Sequence, residues 1–221
     1  MLTKDENWIQ VLWNWADTNN ISDLEWIEHD SYLKTGYLRG LAREKEKLLN
    51  VTELNLLGSQ LSELPPEIGN LTHLTKLYLL GNQLTQLPVE IAYLVNLEEL
   101  YLAGNKLKEL PKQIAALKSL KLLLLQENQL STLPKEIAAL QNLTTLELGG
   151  NGLTSLPKEI GKLSNLSKLT LWKNKLTKLP LEMQTLVNLR EFDCLYNKLE
   201  LTQENIQWLE KLLVQGCDID I

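Results

Sequence analysis

The chain has 221 residues, a formal net charge of −6, 44% hydrophobic residues and 23% charged residues. This balance is typical of a globular protein, not a disordered one, and the negative charge argues against nucleic-acid binding through a basic face. Two cysteines are too few for a disulfide-stapled scaffold or a multi-cysteine zinc module.

The start of the chain has none of the features of a targeting signal. Residues 1–7 carry acids and amides where a signal peptide needs basic residues followed by an apolar core. The longest apolar stretches, such as 122–125, are far shorter than the ~20 residues that a membrane-spanning helix needs. We therefore expect a cytoplasmic protein without membrane insertion, with export that needs no cleaved signal as the alternative.

Four of the six tryptophans lie near the start of the chain. A helix over residues 4–16 places Trp8, Leu12 and Trp15 on one face, and Trp13 falls outside that face. This amphipathic pattern predicts a helix that packs its tryptophan face against the rest of the protein.

A second helix is predicted from residues 21–23 onward, with Ser22 as its N-cap. Leu24 and Ile27 then pack inward. We interpret residues 1–50 as a helical N-terminal cap, because 50 residues offer little for an independent core. A separate aromatic-rich binding module is the alternative.

A repeat of 23 residues organises the chain from Val51 to about Leu199. Its unit reads L-x-x-L-x-L-x-x-N-x-L-x-x-L-P-x-x-I-x-x-L and runs seven times. The asparagines at one position of this unit are Asn82, Asn105, Asn128, Asn151, Asn174 and Asn197. Ser59 stands where the series predicts an asparagine in the first unit.

Each position of the unit has a structural role. The L-x-L pair alternates with period two and predicts a short strand with its leucines inward. The asparagine amide both donates and accepts, so it is suited to bond loop backbone groups in its own and neighbouring coils. The Leu-Pro pair keeps the return path from being a ladder strand, and I-x-x-L favours a short helical or 3₁₀ turn. Stacked coils bury one another's leucines.

On these residues the chain resembles leucine-rich-repeat proteins. The match is to the 23-residue LPxxIxxLxxL type, found in bacterial repeat proteins and in the Ras-pathway scaffold proteins of eukaryotes. The resemblance implies an α/β fold, namely a right-handed solenoid of seven repeats over residues 51–200 with short parallel strands on its concave face. It also implies protein recognition, but it does not name the protein that is bound.

Residues 201–221 are predicted to form a C-terminal capping helix and a tail. Thr202 is a candidate N-cap, and Gly216 is a candidate for the residue just past the helix end. The apolar residues at helical spacing are Ile206, Leu209, Leu212 and Leu213. The tail alternates like a strand.

The three outward positions of each x-L-x-L-x segment define a surface that we call the concave face. The fold does not require large apolar residues there, because these side chains point away from the core. The candidate partner-binding residues are Leu57, Tyr78, Leu80, Tyr101, Leu122, Leu124, Trp172, Leu195 and Tyr196. Tyrosine and tryptophan are enriched in interface hot spots, which favours a binding surface. Mutual packing of these residues along the face is the alternative.

No catalytic, cofactor or metal site is predicted. Cys194 occupies an inward leucine position, Cys217 lies in the tail, and His73 has no paired cysteine or histidine. A rival hypothesis makes the protein an enzyme that uses the polar residues Glu147, Asp193, Glu191 and His73.

The sequence favours a non-enzymatic module, monomeric by default, that binds an unidentified protein partner on the concave face. A second hypothesis keeps this mechanism but makes the protein a bacterial effector or surface factor that acts on a host protein. The positions that follow each Leu-Pro pair are mostly charged and mixed in sign, which predicts a solvated convex side.

Overall fold

The computed structural model describes residues 6–23, 25–30 and 35–221. Three helices lie within these ranges: α1 (Asn7–Thr18), α2 (Lys45–Leu49) and α3 (Gln203–Val214). A two-stranded antiparallel sheet consists of β1 (Glu25–Asp30) and β2 (Thr35–Arg39). The larger sheet has eight strands: β3 (Glu53–Asn55), β4 (Lys76–Tyr78), β5 (Glu99–Tyr101), β6 (Leu122–Leu124), β7 (Thr145–Glu147), β8 (Lys168–Thr170), β9 (Glu191–Asp193) and β10 (Asp218–Asp220).

Neighbouring strands of the larger sheet are parallel and follow chain order from β3 to β10. The leucine just after each of the strands β3 to β8 points into the core, where Leu79, Leu102 and Leu125 are fully buried, and Cys194 takes this place after β9. The chain then returns through Leu-Pro into a 3₁₀ turn. These turns are Pro66–Asn70, Val89–Tyr93, Lys112–Ala116, Lys135–Ala139, Lys158–Lys162 and Leu181–Thr185. The predicted fold class, a leucine-rich-repeat solenoid with parallel strands on its concave face and helical caps, is confirmed.

A ladder of asparagine side chains ties each coil to the coil before it. In the middle of the ladder, Asn128 Oδ1 accepts the Leu107 N–H at 3.0 Å. Asn128 Nδ2 donates to the carbonyls of Leu102 and Leu125 at 2.9 and 3.1 Å. The Leu102 carbonyl also accepts from Asn105 at 2.9 Å, so it is bonded twice. The same pattern holds for Asn82, Asn105, Asn151, Asn174 and Asn197.

Helix α1 covers the first coil, where it lies against the turn Pro66–Asn70. It buries Ile9, Leu12 and Ala16, so the predicted inward position of Leu12 is correct. The predicted tryptophan face is wrong in one respect, because Trp13 also packs against the core. Its indole Nε1 donates to the Ala42 carbonyl at 2.9 Å. Trp8 and Trp15 are only partly buried, since smaller residues fill the centre of the contact.

The predicted second helix is wrong. The chain after Ser22 forms the hairpin of β1 and β2, and Leu24 lies outside the described residues. The hairpin continues into Gly40, whose N–H donates to the Asn55 carbonyl at 3.1 Å. The exposed edge of strand β3 explains this choice, because an uncovered edge leaves unpaired backbone groups that a neighbouring extended segment satisfies.

At the other end, α3 begins with a capping box. The Asn205 N–H donates to Thr202 Oγ1 at 3.2 Å, and the Thr202 N–H donates to Asn205 Oδ1 at 3.2 Å. Trp208 takes the inward place that the spacing assigned to Ile206 and Leu213, which are exposed. The Trp208 ring packs edge-on against Phe192 of β9, with ring centroids 5.4 Å apart. Beyond α3, the tail joins the sheet as β10.

Candidate functional site: the concave face

The register of the parallel strands brings the outward residues into columns. One column runs from Glu53 on β3 to Asp218 on β10, and a second runs from Asn55 to Asp220. Neighbours within a column lie on adjacent strands, about 4.8 Å apart. The concave face is therefore a set of side-chain rows whose chemistry follows directly from the repeat positions.

Two tyrosines form the centre of the N-terminal half of this face. The rings of Tyr78 and Tyr101 are stacked, with centroids 4.5 Å apart and an angle of 17° between their planes. The Tyr101 hydroxyl donates to Glu99 Oε2 at 2.5 Å. Burial and this hydrogen bond raise the pKa of Tyr101 well above its usual value. The two tyrosines thus find some of their contacts within the concave face itself, as expected if these residues pack against one another.

The predicted leucines of the face surround this pair with graded exposure. Leu57 is exposed at the N-terminal edge of the sheet. The half-buried members of the set are Leu80, Leu122, Leu124 and Leu195. Leu57, Leu80, Leu122 and Leu124 lie in the first four coils, together with the stacked tyrosines. Leu195 lies three coils after Leu124.

Opposite charges alternate along the first column of the N-terminal half. Lys76 Nζ lies 3.4 Å from the Glu53 carboxylate and 3.8 Å from that of Glu99. The charge of Glu53 is the main cause that raises the pKa of Lys76, followed by that of Glu99. All three side chains are partly solvated, so their pairing contributes little stability and mainly fixes their positions.

The Trp172 indole lies over Gly149, one coil before its own coil. A Cβ atom added to Gly149 would clash with Cε2 and Nε1 of the indole. The ring therefore occupies the space that a side chain at residue 149 would need. The missing side chain of Gly149 therefore leaves the space that the Trp172 ring fills. Since Gly149 precedes Trp172 by one repeat in the same column, the sequence carried this signal.

Polar groups collect on strands β7 to β9. Lys168 Nζ contacts the carboxylates of Glu147 at 3.0 Å and Glu191 at 2.9 Å. The hydrogen bond to Glu191 is the largest cause that raises the pKa of Lys168. Gln126 Nε2 also donates to Glu147 Oε2. Thr170 is only 4% exposed, and its hydroxyl has no hydrogen-bond partner among the described residues.

The residues of the enzyme hypothesis do not all meet. Glu147 lies on β7, whereas Glu191 and Asp193 lie on β9, on the other side of β8. Lys168 on β8 pairs with Glu147 and Glu191. His73 is exposed on a turn of the second coil, away from these strands. The three acids thus form an open, charged part of the concave face without the histidine.

Tyr196 has an unusual backbone conformation. Its φ is 58°, in the left-handed region that glycine favours, and its side chain is 78% exposed. The residues at the same repeat position are Gly58, Gly81, Gly104, Glu127, Gly150 and Lys173. For a bulky residue this conformation costs about 1–2 kcal/mol relative to the right-handed one. Glu127 and Lys173 adopt the same left-handed conformation at this position, so the repeat imposes it whichever residue is present.

The two cysteines are free and buried. Burial raises the pKa of the Cys194 thiol to about 12, and the nearby charges of Asp193 and Asp220 add to this effect. A thiolate is the nucleophilic form of cysteine, so Cys194 is poorly suited to covalent chemistry. Within the described residues, no group of three or more histidine, cysteine or acidic side chains is arranged to hold a metal ion.

The opposite side of the solenoid carries apolar residues that the charge pattern did not predict. Val89, Tyr93 and Val95 are exposed there in one coil, and Leu181 and Val187 are exposed near the C-terminal end. The prediction of a mostly charged convex side therefore holds for the lysine-containing turns but not for these two coils.

Comparisons with known proteins agree with this architecture. A family described as Leucine-rich repeat region matches residues 112–216, and one described as Leucine rich repeat matches residues 49–107. No curated protein matches the sequence. In the stretches of chain that the structure describes, no helix is long and apolar enough to cross a membrane.

Solved structures show the same fold. A leucine-rich-repeat protein of Leptospira interrogans is 38% identical with a TM-score of 0.73, and the match covers 80% of this chain and 44% of that one. The ectodomain of the receptor kinase GASSHO1/SCHENGEN3 of Arabidopsis thaliana, in complex with CASPARIAN STRIP INTEGRITY FACTOR 2, is 32% identical with a TM-score of 0.65 over 71% of this chain and 20% of that one. The plant peptide hormone receptor RGFR1, in complex with RGF2, is 29% identical with a TM-score of 0.66 over 86% of this chain and 36% of that one. The chain spans less than half the length of each of these proteins.

Proposed function

Because the chain belongs to the leucine-rich-repeat family, we propose that it is a non-enzymatic recognition module that binds a protein partner on its concave face. The observation that carries this proposal is Trp172, an indole held across the outward side of the sheet in space left by Gly149. Neither residue type is needed for the stacked coils, whose core is made of the inward leucines.

Two plant relatives support the proposal. Their solved structures are complexes with a named ligand, CASPARIAN STRIP INTEGRITY FACTOR 2 in one case and RGF2 in the other. Those ligands belong to those receptors. For this chain the likeness supports only the general mode, in which a repeat surface receives another polypeptide.

The proposed energy of binding is concentrated at Tyr78, Tyr101 and Trp172. Buried aromatic residues at the centre of an interface typically contribute about 2 kcal/mol or more, equivalent to about thirtyfold in affinity. Solvated charges contribute much less. The stack of Tyr78 on Tyr101 holds both rings in place before binding, which lowers the entropy lost when a partner covers them.

The test compares Trp172→Ala with Lys135→Ala. We expect Trp172→Ala to weaken a captured partner at least about tenfold in calorimetry, with the circular dichroism spectrum unchanged. Lys135→Ala, on a turn of the opposite side, is the matched control and should leave affinity almost unchanged. A first capture from lysate uses the wild type beside a Tyr101→Ala, Trp172→Ala double variant. Loss of binding in the lysine variant with retention in the tryptophan variant would move the site to the convex side.

The proposal also includes the repeat subtype and the location. We assign the repeats to the 23-residue LPxxIxxLxxL type on their asparagine and proline spacing, which resembles bacterial repeat proteins and Ras-pathway scaffolds. A cytoplasmic location is the working expectation. An effector or surface factor that acts on a host protein uses the same face, and fractionation of the producing cells and their medium separates the two.

A further inference from the structure

The C-terminal end of the concave face breaks the charge alternation seen at the other end. Strands β9 and β10 place Glu191 directly beside Asp218, and Asp193 directly beside Asp220. Like charges at directly opposed positions of a sheet destabilise it. Two such pairs, one in each of the two columns, therefore destabilise this end of the sheet.

Within the described residues Lys168 pairs with acids of this region, and the charge of Arg190 reaches Cys217, the chain neighbour of Asp218. The concave face from β7 to β10 carries the five carboxylates of Glu147, Glu191, Asp193, Asp218 and Asp220. One ammonium group, that of Lys168, forms ion pairs there, and it already contacts two of the five acids. Across the described ranges, the structure shows no ion pair for the three aspartates. One oxygen of Asp193 accepts the Leu195 N–H at 3.0 Å, which fixes the orientation of that carboxylate.

A second, independent feature points to a ligand at the same place. Thr170 lies on β8 between Glu147 and Asp193 in the same column, and its side chain alternates with inward leucines, so it faces the concave side. Although only 4% of it is exposed, its hydroxyl has no hydrogen-bond partner among the described residues. An unsatisfied buried hydroxyl typically costs about 1–3 kcal/mol, and a polar ligand group that reached it would remove that cost.

Aromatic residues flank these acids. The Trp172 indole lies over Gly149 in the coil of β7, at one end of this group of acids, and the strained, exposed Tyr196 stands at the turn that follows β9. Indole and phenol faces attract ammonium and guanidinium groups, with tryptophan the strongest of the aromatic side chains. Carboxylates beside aromatic rings are thus suited to long basic side chains, whose stems pack while their charged ends pair.

Edge protection explains only some of this arrangement. Charged residues on the last strand of a sheet discourage pairing with another chain, and Asp218 and Asp220 on β10 fit that role. Glu191 and Asp193 lie on β9, which is paired on both sides, so no free edge accounts for them.

We infer that the concave face from β7 to β10 binds a basic segment of a partner protein, with lysine or arginine side chains paired to Asp193, Asp218 and Asp220 and packed beside Trp172 and Tyr196. This inference rests on the proposed function and adds the chemistry of the partner. Charge complementarity favours a basic partner, because a bound cation reduces the repulsion between the opposed acids and supplies the positive charge that pairs with them.

The experiment measures fluorescence anisotropy of a fluorescein-labelled peptide of alternating arginine and serine with the full chain. A peptide of alternating glutamate and serine is the charge-reversed probe. The test variant is Asp193→Asn with Asp220→Asn, in which asparagine retains an oxygen to accept the Leu195 N–H. The control is Glu63→Gln with Glu109→Gln, two exposed acids outside the concave face. Both variants remove two negative charges, so the general attraction of an acidic protein for a basic peptide is matched.

We expect the basic peptide to bind the wild type and the control alike, the test variant to bind about tenfold more weakly, and added salt to weaken binding. The acidic peptide should not bind. Equal loss in both variants, or no loss in the test variant, would overturn the inference. So would self-association of the test variant with unchanged peptide binding, since the acids would then serve edge protection.

The outcome is separable from that of the proposed function. If a captured partner binds more weakly to Trp172→Ala but equally well to Asp193→Asn with Asp220→Asn, the proposed function is supported and the inference of a basic segment is refuted. If the partner also binds Trp172→Ala with unchanged affinity, both the proposed function and the inference of a basic segment are refuted.

Discussion

The asparagine ladder makes a quantitative prediction for Asn128→Ala. The variant removes the acceptor of the Leu107 N–H, which has no other partner among the described residues and lies in a fully buried residue. An orphaned buried donor costs about 1–3 kcal/mol. The carbonyl of Leu102 loses one donor but keeps Asn105, so it adds little to the cost. We therefore expect the free energy of unfolding in urea to fall by about 1–3 kcal/mol.

A second asparagine changes this balance in a way that the geometry specifies. In the double variant Asn105→Ala with Asn128→Ala, the Leu102 carbonyl loses both donors. The loss should therefore exceed the sum of the single losses by about 1–3 kcal/mol. Asn82 and Asn128 share no carbonyl, so their double variant should be additive within about 0.5 kcal/mol.

The assay is equilibrium urea unfolding followed by circular dichroism for these single and double variants. A change of less than about 0.5 kcal/mol for Asn128→Ala, the range of ordinary surface substitutions, would refute the reasoning. Additive behaviour of the Asn105 and Asn128 pair would refute the sharing of the Leu102 carbonyl.

Three further predictions test the caps and the concave face. Deletion of residues 1–47 should cause aggregation or broad unfolding, because it uncovers the first coil; a monomeric variant with a sharp melt in light scattering would contradict this. Gly149→Ala should displace Trp172 and increase acrylamide quenching of its fluorescence, and the same change in a Trp172→Phe background should have no such effect. Tyr196→Gly should raise the free energy of unfolding by about 1 kcal/mol, because glycine adopts the left-handed conformation without strain, and it should weaken partner binding. Urea unfolding measures the first effect and calorimetry the second. A loss of stability would show that Tyr196 supports the fold.

The solenoid was predictable because the same residue pattern, and with it the same local geometry, occurs seven times in the sequence. The spacing that placed Leu79, Leu102 and Leu125 inward also fixed the strand register. Prediction failed where the period ends. The hairpin of β1 and β2 depends on pairing near Asn55 on β3, a contact between segments far apart in sequence, and local capping residues such as Ser22 gave no sign of it.

The concave face was predictable as a set of positions but not as a set of contacts. The columns placed Tyr78 next to Tyr101, and the structure adds that the rings stack. Gly149 and Trp172 could be placed in one column, but the direction in which the indole lies depends on its rotamer. The strain at Tyr196 was readable in principle, because glycine occupies that repeat position in most of the coils.

The ladder has a direction, and this bears on how the protein is made. Asn128 bonds to Leu102 and Leu107, which belong to the coil that precedes it in the chain. Each asparagine thus needs a partner that the ribosome has already released, and none needs a partner still to be synthesised. The N-terminal cap leaves the ribosome before the repeats do and covers the end on which the first coil forms. The order of synthesis is therefore the order in which the coils can dock, so a growing chain can add each new coil to those already folded.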